Sequence, residues 1–99
     1  MIQKSFESTQ DRIKEVTTAM QELLLEKNKR YGDAAINPTN TFSKLSGQDS
    51  IKIRLDDKLK RVQASEETRV NDVCDIIGYC TLLLISMRVS KEDILKLID

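Results

Sequence analysis

The chain contains no histidine. That removes His-based catalytic triads and ordinary zinc sites from consideration, so a metal here would be a hard ion held by carboxylates. An excess of one charge is also missing. The 16 basic and 16 acidic residues cancel, which leaves no global positive field for nucleic acid. Any anion site must be local, and a sequence-specific nucleic-acid partner is not expected. Long hydrophobic runs are absent too. The longest, Ile76 to Met87, covers roughly 12 residues and is interrupted by Gly78, Thr81 and Ser86, short of the ~20 apolar residues that cross a bilayer. Residues 1–15 are polar and charged, unlike a signal peptide, so the cytoplasm is the expected location and no membrane partner is expected. Cysteine is scarce: Cys74 and Cys80 lie about 120° apart on a helix, too far for a disulfide within it. Both read as buried free thiols.

The single proline and two of the three glycines fall in one stretch, residues 31–47, "YGDAAINPTNTFSKLSG", which reads as a long loop between helices. Loops of that length in small domains tend to be functional. Before it, residues 9–30 predict a helix: Ile13, Val16, Met20, Leu23 and Leu24 recur at three- and four-residue steps, and Ser8 with Asp11 forms a capping pattern. After it, residues 48–63 place Ile51, Leu55, Leu59 and Val62 on one stripe. A third helix is expected from about 66 to 88, with Ser65 as N-cap and Glu66 and Glu67 in its first turn. Ser90 and Asp93 then predict a capped short final helix with Ile94, Leu95 and Ile98 as its apolar face. The 99 residues thus read as one all-α domain of three main helices and a short fourth. A domain of this size buries only about 60 to 70% of its unfolded surface, which makes self-association an expectation.

Three stripes carry candidate chemistry. Asp72, Asp75, Tyr79 and Ser86 share a narrow polar sector of the third helix, whose remaining circumference is apolar. Such a helix is expected to be buried on two sides or more. Two carboxylates three residues apart point the same way and can share a divalent cation; the alternative is a solvated helix start, where acids are stabilising anyway. On the second helix Arg54, Asp57, Lys58 and Arg61 lie on one face, suited either to phosphate oxygens or to ordinary solvated ion pairs. On the first helix Asp11, Glu15, Glu22 and Glu26 lie largely opposite the apolar face and read as solvated.

Taken together, "EKNKRYGDAAINPTNTFSK", "IKIRLDDKLKR" and "NDVCDIIGY" resemble the MazG-like proteins of phages and bacteria, including those labelled nucleotide modification associated domain. The shared order is a helix ending in Lys-x-x-x-Tyr-Gly, a loop with Asn and Phe, an Arg-x-x-Asp-Lys-x-x-Arg helix, and an acidic-x-x-Asp-x-x-x-Tyr helix. The resemblance spans about residues 22–85. It implies an all-α nucleoside triphosphate pyrophosphohydrolase-like bundle completed by oligomerisation, in which helix-borne acids hold Mg²⁺ against nucleotide phosphates. Carried over, Asp72 and Asp75 match the acidic pair and Tyr79 the tyrosine. Asp72 stands where a glutamate is usual. Glu22 and Glu26 stand for the group's Glu-x-x-Glu at a spacing one residue wider.

Two functions from different classes follow from that resemblance. As an enzyme, the chain would bind Mg²⁺ through Glu22, Glu26, Asp72 and Asp75, with Lys27, Arg30, Lys52, Arg54, Lys58 and Arg61 as candidate phosphate contacts and Asp57 orienting the arginines; catalysis would rest on positioning and charge neutralisation. As a binding module, a phage sponge in the host cytoplasm, it would sequester a nucleotide or a nucleotide-derived defence signal, with Tyr31, Asn37, Asn40 and Phe42 over the base or ribose. A third reading, a helical oligomerisation domain with solvated charges, has no use for so long a loop.

Overall fold

The computed structural model describes residues 7–32, 36 and 46–98. Among them the chain is all-α, with four helices and no strand: α1 (Thr9–Tyr31), α2 (Gly47–Ala64), α3 (Val70–Ser86) and α4 (Lys91–Leu95). Two compact units divide the chain after Gly32, α1 in the first and α2 to α4 in the second.

The first unit begins on the expected capping box. The Asp11 N–H donates to Ser8 Oγ at 3.0 Å, and the Ser8 N–H donates to Asp11 Oδ2 at 3.3 Å. Two otherwise orphaned backbone donors are thereby satisfied. Lys29 and Arg30 occupy the last turn, where cations suit the helix dipole. The helix stops at Gly32, whose φ of 66° lies in the left-handed region that glycine adopts without strain. Of the predicted apolar face, Met20 is buried, whereas Ile13, Val16 and Leu23 are exposed.

In the second unit α2 starts at Ser46, whose Oγ accepts from the Asp49 N–H at 3.1 Å. It packs against α3, joined by residues 65–69 in a helical hairpin. The seam differs from the expected stripe. Ile51 is fully buried, Leu55 and Val62 are half-buried, and the position between them is held by Lys58 rather than Leu59, which is 49% exposed. Steps of four, three and four residues from Ile51 lead to Leu55, Lys58 and Val62, so Leu59 falls about 80° off the seam axis. Burial of Ile51 alone contributes about 1.5–3 kcal/mol.

The expected start of the third helix is corrected. Ser65 ends α2 instead of beginning α3: its N–H and its Oγ both donate to the Arg61 carbonyl, at 3.1 and 2.8 Å. With its hydroxyl turned back onto that carbonyl, the serine does not cap the next helix. Glu66 and Glu67 consequently lie outside α3, which begins at Val70 behind Arg69 with no side-chain cap. At the other end the Arg88 N–H donates to the Ile85 carbonyl at 2.9 Å and the Val89 N–H to the Leu84 carbonyl at 3.3 Å. This is a Schellman closure, and it puts Arg88 at φ 58°, a conformation usually left to glycine. The final helix starts on a second capping box between Ser90 and Asp93, with both hydrogen bonds at 3.0 Å.

Neither α3 nor α4 is as enclosed as the apolar content suggests. Val70, Val73, Ile77, Leu84 and Ile85 on α3 and Met87 at its C-cap are exposed, as are Ile94, Leu95 and Ile98 of the expected α4 face. Both cysteines are free, Cys74 half-buried and Cys80 exposed, so the reading of Cys80 as a buried thiol does not hold. Among the described residues no helix is long and apolar enough to cross a membrane.

Candidate functional site

The seam of the α2–α3 hairpin brings opposite charges together. Lys58 Nζ sits 2.9 Å from Asp75 Oδ2, with the two side chains only 18% and 13% exposed. That is the distance of a charge-assisted hydrogen bond, held where solvent screens it poorly. The lysine stem fills the level between Leu55 and Val62, and its four methylenes are compatible with an apolar seam while the ammonium requires an anion.

One helical turn before Asp75 lies Asp72, only 3% exposed. Its position in the first turn of α3 places it near the positive end of the helix dipole, which favours a carboxylate. Among the described residues no hydrogen bond or ion pair reaches this carboxylate. Side chains three apart on a helix have their Cβ atoms roughly 5–6 Å from one another. The two aspartates are therefore neighbours on one side of α3, with the Lys58 ammonium against Asp75. Asp72 is thus buried and Asp75 half-buried at the seam.

Tyr79, one turn beyond Asp75, is half-buried on α3. The other charges of the α2 stripe separate from Lys58: Lys52, Arg54, Asp57 and Arg61 are exposed. A helix turns by about 100° per residue, so Arg54 and Arg61 lie roughly 40° and 60° to one side of Lys58 and Asp57 farther round. The expected single stripe is thus one seam cation flanked by two arginines open to solvent.

On α1, Glu22 and Glu26 are exposed, and Glu26 Oε1 accepts from Arg30 Nε at 2.9 Å, one turn along the same helix. Lys27 is half-buried and Tyr31 is 74% exposed. Asn37, Asn40 and Phe42 lie outside the described residues. Among the described residues no group of three or more His, Cys, Asp or Glu side chains is arranged to hold a metal ion.

The Asp72–Asp75 pair nevertheless suits Mg²⁺, which keeps several waters and binds through one or two carboxylates plus substrate phosphates rather than an all-protein cage. Asp72, 3% exposed as a residue, is the first donor such an ion would find. What sequence reasoning missed is the placement of Lys58. The signal was there: Lys58 lies seven residues from Ile51, three from Leu55 and four from Val62, which is seam spacing. Comparison with known proteins finds no matching family model, no matching curated protein and no matching solved structure.

Proposed function

We propose that this chain is a nucleotide-binding protein of MazG-like type, taking a magnesium-bearing nucleotide at the α2–α3 seam. The observation that carries the reading is the Lys58–Asp75 pair beside the buried Asp72: an anion-binding ammonium and a cation-binding carboxylate pair at one place match the two charges of a metal–phosphate ligand. Asp72 and Asp75 hold Mg²⁺, Lys58 turns to a phosphate oxygen, and Arg54 and Arg61 reach the outer phosphates from the exposed flank of α2. As an enzyme the protein is a pyrophosphohydrolase, with water attacking phosphorus.

The second reading, a sponge that binds without turnover, is favoured by one feature. Among the described residues only two carboxylates stand together at this seam, and one of them is engaged by Lys58. Two-metal in-line chemistry asks for more acids than that.

We place self-association on α3. Val70, Val73, Ile77, Cys80, Leu84 and Met87 are exposed and recur at steps of three, four, three, four and three, the heptad spacing by which a helix packs on a copy of itself. An apolar stripe of this length open to water supports a homo-oligomer, dimer or higher.

A screen of nucleotides and cyclic nucleotides for thermal stabilisation, with and without Mg²⁺, tests the function directly, because a ligand at 100 times its Kd adds about 2.7 kcal/mol of stability. Chromatography of the hits separates the two readings. Consumption with release of pyrophosphate identifies the enzyme, and intact recovery identifies the sponge. No hit in either condition would refute both.

A further inference from the structure

We infer that α3 packs on the α3 of a second copy of this chain in antiparallel register, with the two-fold axis passing between Ile77 and Cys80. The inference rests on the placement of self-association on α3 and gives that interface its direction and register; the nucleotide reading does not enter it.

The spacing of the exposed stripe sets the register. Val70, Val73, Ile77, Cys80, Leu84 and Met87, the last at the C-cap, are exposed, and their steps of three, four, three, four and three read the same from either end. An antiparallel copy centred between Ile77 and Cys80 therefore brings Val70 level with the partner's Met87, Val73 with the partner's Leu84 and Ile77 with the partner's Cys80. Each level joins a smaller side chain to a larger one: valine to methionine, valine to leucine, cysteine to isoleucine. The layers then have similar volumes, and two helices can stay about 8–10 Å apart along their whole length. A parallel copy would stack valine on valine twice at one end and leucine and methionine on themselves at the other, which splays the pair. It would also lay like ends of the helix dipoles side by side, whereas the antiparallel copy opposes them. No charged side chain falls on the stripe, so nothing on it repels an identical face.

The area available matches what a dimer needs. Among the described residues of the second unit, Ile51 is the one buried hydrophobic side chain, whereas the exposed large hydrophobics from Val70 to Ile98 stand 38–80% open. At roughly 60–120 Å² of apolar surface for each fully open aliphatic side chain, they offer on the order of 500 Å². A dimer of standard size takes about 800 Å² from each partner, about 65% of it apolar in homodimers, so the two figures agree. Residues of α3 and its C-cap supply a little over half of this surface. The rest comes from Ile94, Leu95, Leu97 and Ile98, which are exposed because α4 rests on neither α2 nor α3. In the antiparallel register each α4 leaves its own α3 beside the start of the partner's, where Val70 is 79% exposed.

The test is cysteine cross-linking of the full chain in a Cys74→Ser, Cys80→Ser background, with Val73→Cys and Leu84→Cys made as separate proteins and oxidised alone and after co-expression. In the antiparallel register residue 73 lies level with residue 84 of the second copy, whereas the two copies of residue 73 lie eleven residues apart along the axis. That is roughly 16 Å, beyond the ~7 Å that a disulfide spans between Cα atoms. Non-reducing gels should show covalent dimer from the co-expressed pair and its loss from either protein alone. Val70→Cys with Met87→Cys, an independent level pair, is scored in the same way if far-UV circular dichroism shows that a variant of the first pair does not fold. Covalent dimer from each protein alone, with no gain on co-expression, identifies a parallel pair; it overturns the register and leaves self-association on α3 standing. No covalent dimer from either pair, at a dimeric mass by light scattering, overturns the register and the placement on α3 together. A monomeric mass overturns both along with self-association itself.

Discussion

Replacing Lys58 by methionine should damage the fold more than replacing Asp75 by asparagine, and the asymmetry follows from what each change leaves behind. Without its carboxylate partner, the ammonium can follow its flexible stem towards the exposed flank of α2 and recover some hydration. Without the ammonium, Asp75 loses its seam cation one turn from the 3% exposed Asp72. Fully exposed ion pairs contribute about 0–1 kcal/mol, and removing one partner of a fully buried pair costs about 3–5 kcal/mol. With side chains 18% and 13% exposed, the Lys58–Asp75 pair belongs nearer the buried limit. Lys58→Met is expected to lower stability by about 2–3 kcal/mol and Asp75→Asn by about 1–2 kcal/mol. Urea denaturation followed by far-UV circular dichroism, on both single variants and the double variant, gives the coupling energy, expected at about 1–2 kcal/mol. A coupling within roughly 0.3 kcal/mol of zero, or a larger loss from Asp75→Asn, would refute the claim that this is a poorly screened pair next to a second carboxylate.

Three further outcomes follow from particular residues. Arg88→Gly should stabilise the protein by about 0.5–1 kcal/mol in the same assay, because Arg88 holds φ 58° at the Schellman position where glycine avoids the Cβ clash; unchanged or lower stability would mean that Arg88 makes a compensating contact. Asp93 is held below the usual carboxylate range by the backbone N–H of Ser90 and then by its hydroxyl, with a small opposing effect of desolvation. Its folded value is thus lower than its unfolded one, so its contribution is present above the unfolded value and is lost as pH falls through the folded one; in an NMR titration Ser90→Ala should raise the Asp93 value, and no movement would refute the capping account. Ile77→Lys, in the exposed stripe of α3, should reduce the mass seen by light scattering to that of one chain with helicity retained, whereas an unchanged assembly would place the interface elsewhere.

How much of this was legible in the sequence depended on whether the signal was local. The capping boxes at Ser8–Asp11 and Ser90–Asp93 are contained in four residues each, and both are formed as read. The boundaries of α1 and α2 followed from periodicity between strong breakers to within a residue or so. Ser65 differs from its expected role because a serine between two helices suits either end, and the choice depends on which backbone group it reaches, here the Arg61 carbonyl. Lys58 was grouped with Arg54 and Arg61 because charge type was read ahead of register. Its position in the seam becomes decisive only with a partner helix that offers Asp75 there. The burial of Asp72 is a tertiary fact of the same kind. An aspartate in a first helical turn is favourable whether solvated or enclosed, so nothing local distinguishes the two.

The nucleotide account is tested most directly by calorimetric titration of the best ligand from the thermal screen into the unmodified chain and into Asp72→Asn, with and without Mg²⁺. Asparagine matches the shape of the buried aspartate and removes its charge. The account predicts Mg²⁺-dependent binding by the unmodified chain that falls at least about tenfold, or some 1.4 kcal/mol, in Asp72→Asn at unchanged helicity. Equal affinity for the two proteins, or binding indifferent to Mg²⁺ in both, would contradict it.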